Sequence, residues 1–101
     1  MKNSLFVSQE DLHPHIRKRM RQRGVTFDEI VDALASGATS MDAKPGTFAK
    51  RKVFPYNKEW EETFYQEKEV TVFYKFVEDY GLVLLTVIAR YGQNFQEGNT
   101  P

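Results

Sequence analysis

His13 and His15 are the only histidines of the chain, and they open a run with no acid in it, His13-Pro-His-Ile-Arg-Lys-Arg-Met-Arg-Gln-Arg-Gly-Val-Thr26. Imidazole is the side chain that exchanges protons near neutral pH. The five cations that follow, Arg17, Lys18, Arg19, Arg21 and Arg23, suit a phosphate-bearing partner. Such a set could cleave RNA without metal: a base activates the 2′-hydroxyl, cations stabilise the phosphorane, and an acid protonates the leaving oxygen. In this reading His15 is the first choice for proton transfer and Arg23 and Arg90 are the choices for phosphate. Arg19, Lys75 and Thr86 would hold the rest of the substrate. No cofactor or metal is expected, since an i, i+2 pair does not put both imidazoles on one helix face and no zinc-type motif accompanies it. Nor does the chain contain a Gly-rich phosphate loop, a nucleophile elbow or a Ser/His/Asp arrangement. A plainer role is open for every residue named: surface histidines at a helix start, and arginines that pair with carboxylates or carbonyls of the fold.

These side chains must be positioned by helices. Leu12, Ile16 and Met20 form a narrow apolar stripe at helical spacing. Arg19 and Arg23 lie beside the stripe with His15 and Gln22 along the same flank, while Arg17, Lys18 and Arg21 point to water. The spacing predicts a first helix from near Asp11 to Arg23, with Gly24 as a left-handed cap. Thr26-Phe-Asp-Glu29 reads as a capping box, and Val25 and Ile30 read as its hydrophobic staple. Phe27, Ile30, Val31 and Leu34 then give a half-buried second helix that ends at Ser36-Gly37.

After residue 37 the pattern turns from helical to alternating. Residues 38–47 read as a loop. Strands are expected over 48–56, 60–65, 69–77 and 82–91, with Pro55 at an edge or an end. Glu78-Asp-Tyr-Gly81 reads as a four-residue hairpin loop. With Val77 opposite Leu82, one face of this hairpin carries Val70, Val72, Tyr74, Val83, Leu85 and Val87 and should take the helices. The other carries Glu69, Thr71, Lys75, Thr86 and Arg90, with Glu69 opposite Arg90, and is either a binding surface or a solvated face with an ion pair. A one-residue slip would exchange these faces. Leu5-Phe6-Val7 reads as an edge strand or a strap, residues 1–92 as one α+β domain, and 93–101 as a disordered tail. The fold class is thus α+β, two N-terminal helices on a mostly antiparallel sheet of about four strands.

The chain has 101 residues, enough for one modest core, and fourteen basic residues balance fourteen acidic ones. The balance is uneven, because residues 1–24 hold six cations against two acids. A neutral molecule can therefore still present a basic face. With no cysteine there is no disulfide or thiolate chemistry. No apolar run approaches the roughly 20 residues that span a bilayer, and no signal peptide is evident at the N-terminus, so a cytoplasmic protein without membrane partners is expected.

His15-x-x-x-Arg19-Met20-x-x-Arg23-Gly24-Val25-Thr26 resembles the His-x-x-x-Arg-Met-x-x-Arg-Gly-Ile-Ser/Thr signature of the family called domain of unknown function 4258. Leu84-Leu-Thr-Val-Ile88 resembles that family's closing apolar strand, and the likeness covers most of the chain beyond its first dozen residues and residues 38–47. Members of that family resemble small α+β toxins of the RelE/barnase/colicin type. The resemblance implies endoribonuclease activity, RNA as partner, and an antitoxin or other protein that restrains it. It carries over to His15, Arg19 and Arg23, and less directly to Thr86 and Arg90. The rival function is a non-catalytic module that binds RNA or a protein through the same basic helix.

Overall fold

The computed structural model describes residues 7–95. A 3-10 turn at Gln9–Asp11 precedes helices α1 (Pro14–Arg23) and α2 (Phe27–Ser36). Strands β1 (Ala38–Thr39), β2 (Phe48–Trp60), β3 (Thr63–Val77) and β4 (Gly81–Gly92) follow, paired antiparallel in the order β1-β2-β3-β4. The fold is the expected α+β arrangement, with both helices on one side of a four-stranded sheet.

α1 begins later than the apolar stripe suggests. Proline disfavours helical dihedrals in the residue before it, so His13 is extended (φ −69°, ψ 169°) and serves as N-cap with Pro14 as the first helical residue. Asp11 belongs instead to the preceding turn, where its Oδ2 accepts the Ser8 N–H at 2.8 Å. At its other end α1 closes as expected. Gly24 is left-handed (φ 72°), and both its N–H and that of Val25 donate to Met20 O. A Cβ at Gly24 would come 2.6 Å from the Trp60 ring and 2.6 Å from the Tyr91 hydroxyl, so the position requires glycine for space as well as for φ. The capping box of α2 forms in full: Thr26 Oγ1 accepts the Glu29 N–H at 3.1 Å and Glu29 Oε1 accepts the Thr26 N–H at 2.9 Å.

The strands divide differently from the reading by alternation. β2 runs unbroken from Phe48 to Trp60, and its register with β3 shifts between Pro55 and Lys58. The next turn is Glu61-Glu62, with both residues at positive φ (51° and 73°). The expected strand over 60–65 is therefore the end of one strand and the start of the next. Two glutamates are a poor signal for a hairpin turn, which favours Asn and Gly. The expected loop after residue 37 contains the short β1, whose Ala38 and Thr39 pair with Arg51 and Lys50. Pro55 lies on β2 beyond the reach of β1, so its missing N–H interrupts no ladder on that side.

In the final hairpin Val77 pairs with Gly81, leaving a three-residue turn, Glu78–Tyr80, rather than four. The pairing is thus one residue off near the turn. It returns to the expected register at a bulge, where Phe73 and Tyr74 face Thr86 and Leu84 and leave Leu85 as the extra residue. Leu82 and Leu84, not Val83 and Leu85, consequently turn toward the helices. Beyond the bulge Val72 and Val87 face the helices, while Glu69, Thr86 and Arg90 lie on the opposite side with Lys75, as expected.

The core is the seam between the helices and this side of the sheet; its largest wholly enclosed side chains are Ile16, Ile30, Leu84, Val70, Val72 and Val87. Val7 packs at its margin, while Leu5 and Phe6 of the proposed strap lie outside the described residues. Of the expected tail, Phe95 folds back so that its N–H donates to Glu67 Oε1 at 2.8 Å; residues 96–101 lie outside the described residues. No described helix is long and apolar enough to cross a membrane.

Thr26→Ala should destabilise the domain by about 0.5–2 kcal/mol through loss of the N-cap. Gly24→Ala should cost more, because the left-handed conformation alone costs about 1–2 kcal/mol and the methyl meets Trp60 and Tyr91. Urea melts give both values, and a Gly24→Ala protein as stable as its parent would refute the crowding at this turn.

Candidate functional site

β4 is the outer strand of the sheet, and α1 lies along it. An outer strand leaves backbone groups that need partners. The two ends of α1 supply them: Arg23 Nη1 donates to Val87 O at 2.8 Å, and His13 Nε2 lies 3.3 Å from Leu84 O. The latter bond requires the Nε2–H tautomer of His13. His15 is exposed and its ring stacks on that of His13, with centroids 6.0 Å apart and planes 15° apart. Arg19 donates to Gln22 Oε1 at 2.9 Å and Arg17 to Gln9 O at 3.1 Å.

Charge is distributed unevenly over these partners. Among the described residues none of the five cations of α1 has a carboxylate within ion-pair distance, whereas Lys52, Lys68, Arg51 and Arg90 each have one. Along α1 and the Gly24–Thr26 turn that follows it, a groove of about 350 Å³ runs beside Arg17, Met20 and Arg21.

The side of the sheet away from the helices holds the other candidates. Glu69 is 4% exposed there; its Oε1 accepts from Arg90 Nε at 2.8 Å, and its Oε2 is 3.8 Å from Arg51 Nε. Arg90 itself is well exposed, and its guanidinium sits 4.8 Å from the centre of the Phe95 ring. The loop after β1 leans over this face. Between them is a cleft of about 400 Å³, formed by Phe73, Thr86 and Ile88 of the sheet and Asp42, Lys44 and Thr47 of the loop. Lys75 is the next residue of β3 on the same side as Phe73, and Thr86 is opposite Phe73.

The predicted residues therefore do not converge on one point. His15 and Arg23 are eight residues apart on α1, about 12 Å along its axis, and Arg23 is bonded to the strand edge. Arg90 lies on the far side of the sheet, engaged with Glu69. His15, Arg19 and Arg23 do share one flank of α1 at i, i+4 and i+8. Thr86 lines the cleft, and Lys75 lies on the same side of the sheet, two residues beyond Phe73 on β3. No three His, Asp or Glu side chains among the described residues gather as a metal site.

One cluster was missed. Lys68, only 2% exposed, donates to Gly24 O and to both oxygens of Glu29 (2.8 and 3.0 Å), with its ammonium over the rings of Tyr56 and Tyr91 at 5.4 and 5.7 Å. Tyr91 donates to Arg23 O at 2.6 Å and stacks on Trp60, with centroids 5.1 Å apart. The result is an aromatic box for a cation, filled by the chain's own lysine. Its signal was the phase of Lys68, two residues before Val70 and thus on the helix side, just outside the strand expected to begin at Glu69.

Burial, helped by the nearby Tyr56, Glu29 and Glu61, holds the Tyr91 phenol well above the usual tyrosine range. A raised folded-state value gives stability that is complete below the unfolded value, about pH 10, and that declines above it. For this one group the decline is at most about 1.4 kcal/mol per pH unit. Tyr91→Phe should lose about 1 kcal/mol at neutral pH with the hydrogen bond to Arg23 O, and its stability should then fall less steeply between about pH 10 and 12. Identical slopes for variant and parent in urea melts over that range would refute this placement of the phenol.

Comparison with protein-family models, with curated protein sequences and with solved structures finds no match to this chain.

Proposed function

We propose that this chain is an RNA-binding module that holds the phosphate backbone on the cations of α1. The observation that carries the reading is that, among the described residues, none of these five cations has a carboxylate partner, while Lys52, Lys68, Arg51 and Arg90 of the sheet are matched within the fold. An unneutralised row of arginine and lysine on one helix is suited to an external polyanion. The stretch from His15 to Thr26 resembles the signature of domain of unknown function 4258, whose members resemble toxin-like ribonucleases, and this supports RNA as that polyanion.

A second reading, a toxin-like metal-independent endoribonuclease, is favoured by the two stacked imidazoles at the head of the same helix. It ranks below binding because a general base must reach its proton directly or through one water, and His15 and Arg90 lie on different sides of the sheet. Under the cleavage reading, phosphate contacts for His15 would come from Arg19, one turn along the helix.

The test is an RNA strand and its all-deoxy counterpart incubated with pure protein in EDTA. Binding without cleavage is expected, weakening steeply with salt. Replacing Arg17, Lys18 and Arg21 together by Ala should reduce the slope of log K against log[salt] by up to about 2, at roughly 0.7 per single-strand phosphate. Cleavage of RNA alone, lost in His15→Ala with the fold intact, would install the ribonuclease reading instead. Neither binding nor cleavage would overturn both.

A further inference from the structure

The cleft on the helix-free side and the cation row of α1 meet at one short stretch of β4. Arg23 bonds the carbonyl of Val87, and the residues on either side of Val87, Thr86 and Ile88, form the sheet wall of the cleft. The bulge at Leu85 makes this possible, since it puts Leu85 and Thr86 on the cleft side in succession. A chain lying on α1 and crossing the outer edge of β4 at 86–88 would thus arrive directly over the cleft.

The cleft has the features of a site for a flat, partly polar group. Its volume, about 400 Å³, is within the range of small-molecule sites. Phe73 supplies an aromatic surface and Ile88 an aliphatic one, while Thr86 offers a hydroxyl. Thr47 commits its hydroxyl hydrogen to Lys44 O at 2.7 Å, which leaves its oxygen as an acceptor. Asp42 and Lys44 add one acceptor and one donor set at the loop side. Three further cations share this face of the sheet: Lys75, the next residue of β3 on this side after Phe73, Arg51, opposite Thr71 on β2, and Arg90, the next after Ile88. Asp42 is the acid of the cleft itself, and β3 carries Glu67 and Glu69 on this face, where Glu69 is already bonded to Arg90 and Glu67 accepts the Phe95 N–H.

We infer that the cleft is a nucleobase pocket: single-stranded RNA crosses the edge of β4 at 86–88, and one base enters the cleft to stack on Phe73. The inference rests on the RNA-binding reading and adds to it a base-dependent contribution that phosphate contacts cannot supply. A duplex would be excluded, because its bases are already stacked and paired.

Two probes separate the cleft from the cation row. Inorganic polyphosphate has charge without bases and reads α1 alone, while a short polyadenylate strand reads both. Phe73→Leu keeps an apolar side chain but removes the π-face; a thermal melt checks that the fold survives. This variant should bind polyadenylate between about five-fold and about a hundred-fold more weakly and bind polyphosphate as the parent does. Equal affinity of parent and variant for polyadenylate would overturn the pocket and leave the α1 reading standing. Failure of the parent to bind either probe would overturn the α1 reading, and the pocket with it. A measurement on the parent alone covers the case in which Phe73→Leu does not fold. Adenosine monophosphate should shift the backbone amide resonances of Thr47, Phe73, Thr86 and Ile88, and shifts confined to α1 would overturn the pocket.

Discussion

A lysine ammonium cannot be taken out of water without full compensation, because the effective desolvation penalty is several kcal/mol. Lys68 meets this demand in one way only. Its hydrogens go to the carbonyl of Gly24 and the carboxylate of Glu29, and two tyrosine rings cover it. Each partner fixes something else. The Gly24 carbonyl is the end of α1, so the last turn of that helix is tied to β3. Glu29 is also the third residue of the capping box, so the same carboxylate that neutralises Lys68 holds the N-terminus of α2. Tyr91 and Trp60 close around the turn and leave no space for a side chain at Gly24. Two helices and three strands are thereby located by one cation.

The direction of α1 follows from that anchor, and with it the treatment of the sheet's edges. Held by Gly24 at one end, α1 extends along β4 and puts Arg23 and His13 on two of its outward carbonyls. At the other edge β1 covers only residues 50–51 of β2, and Pro55 interrupts the remainder. Both are recognised ways of preventing edge-to-edge pairing. Arg23 thus serves the fold at its terminal nitrogen while it belongs to the cation row, which is why its side chain is part-buried while those of Arg17, Lys18 and Arg21 are exposed.

The parts of this arrangement that depend on local chemistry were legible in the sequence. A capping box and a glycine before it specify the junction of α1 and α2 whatever packs around them, and the alternation of Val70, Val72 and Tyr74 identifies the buried side of β3. The pairing of Glu69 with Arg90 was expected from a four-residue loop that the structure does not have, and it is met because the bulge at Leu85 restores the register. What could not be read depends on partners distant in the chain. The left-handed Glu61-Glu62 turn has none of the residues that favour such dihedrals. The bulge at Leu85 reconciles a three-residue turn with the register demanded by the core farther along, and no residue type marks it. Lys68 fell between the expected strands, and no local pattern marks its burial because its four partners are contributed by other elements. For the candidate site the same division holds: the residue types on α1 were informative and alternation put Arg90 on the side away from the helices, but the capture of the Val87 carbonyl by Arg23 depends on which edge α1 occupies.

Net neutrality is a poor guide to what such a molecule binds. At physiological ionic strength charges are screened beyond about 8 Å, so a ligand responds to the charges of the surface it approaches and not to the total. Fourteen acids offset fourteen cations here, but several acids are spent on the sheet: Glu69 on Arg51 and Arg90, Glu29 on Lys68, Asp32 on Lys52. Others, Glu59, Glu61 and Glu62, lie at the exposed β2–β3 turn. None of these reaches α1. The fold has separated its charge, using acids to hold the helices to the sheet and leaving Arg17, Lys18 and Arg21 of one helix to solvent. An association made this way gains little from long-range steering, and it depends instead on contacts made within a few Å of α1 and on whatever the adjoining cleft adds to them.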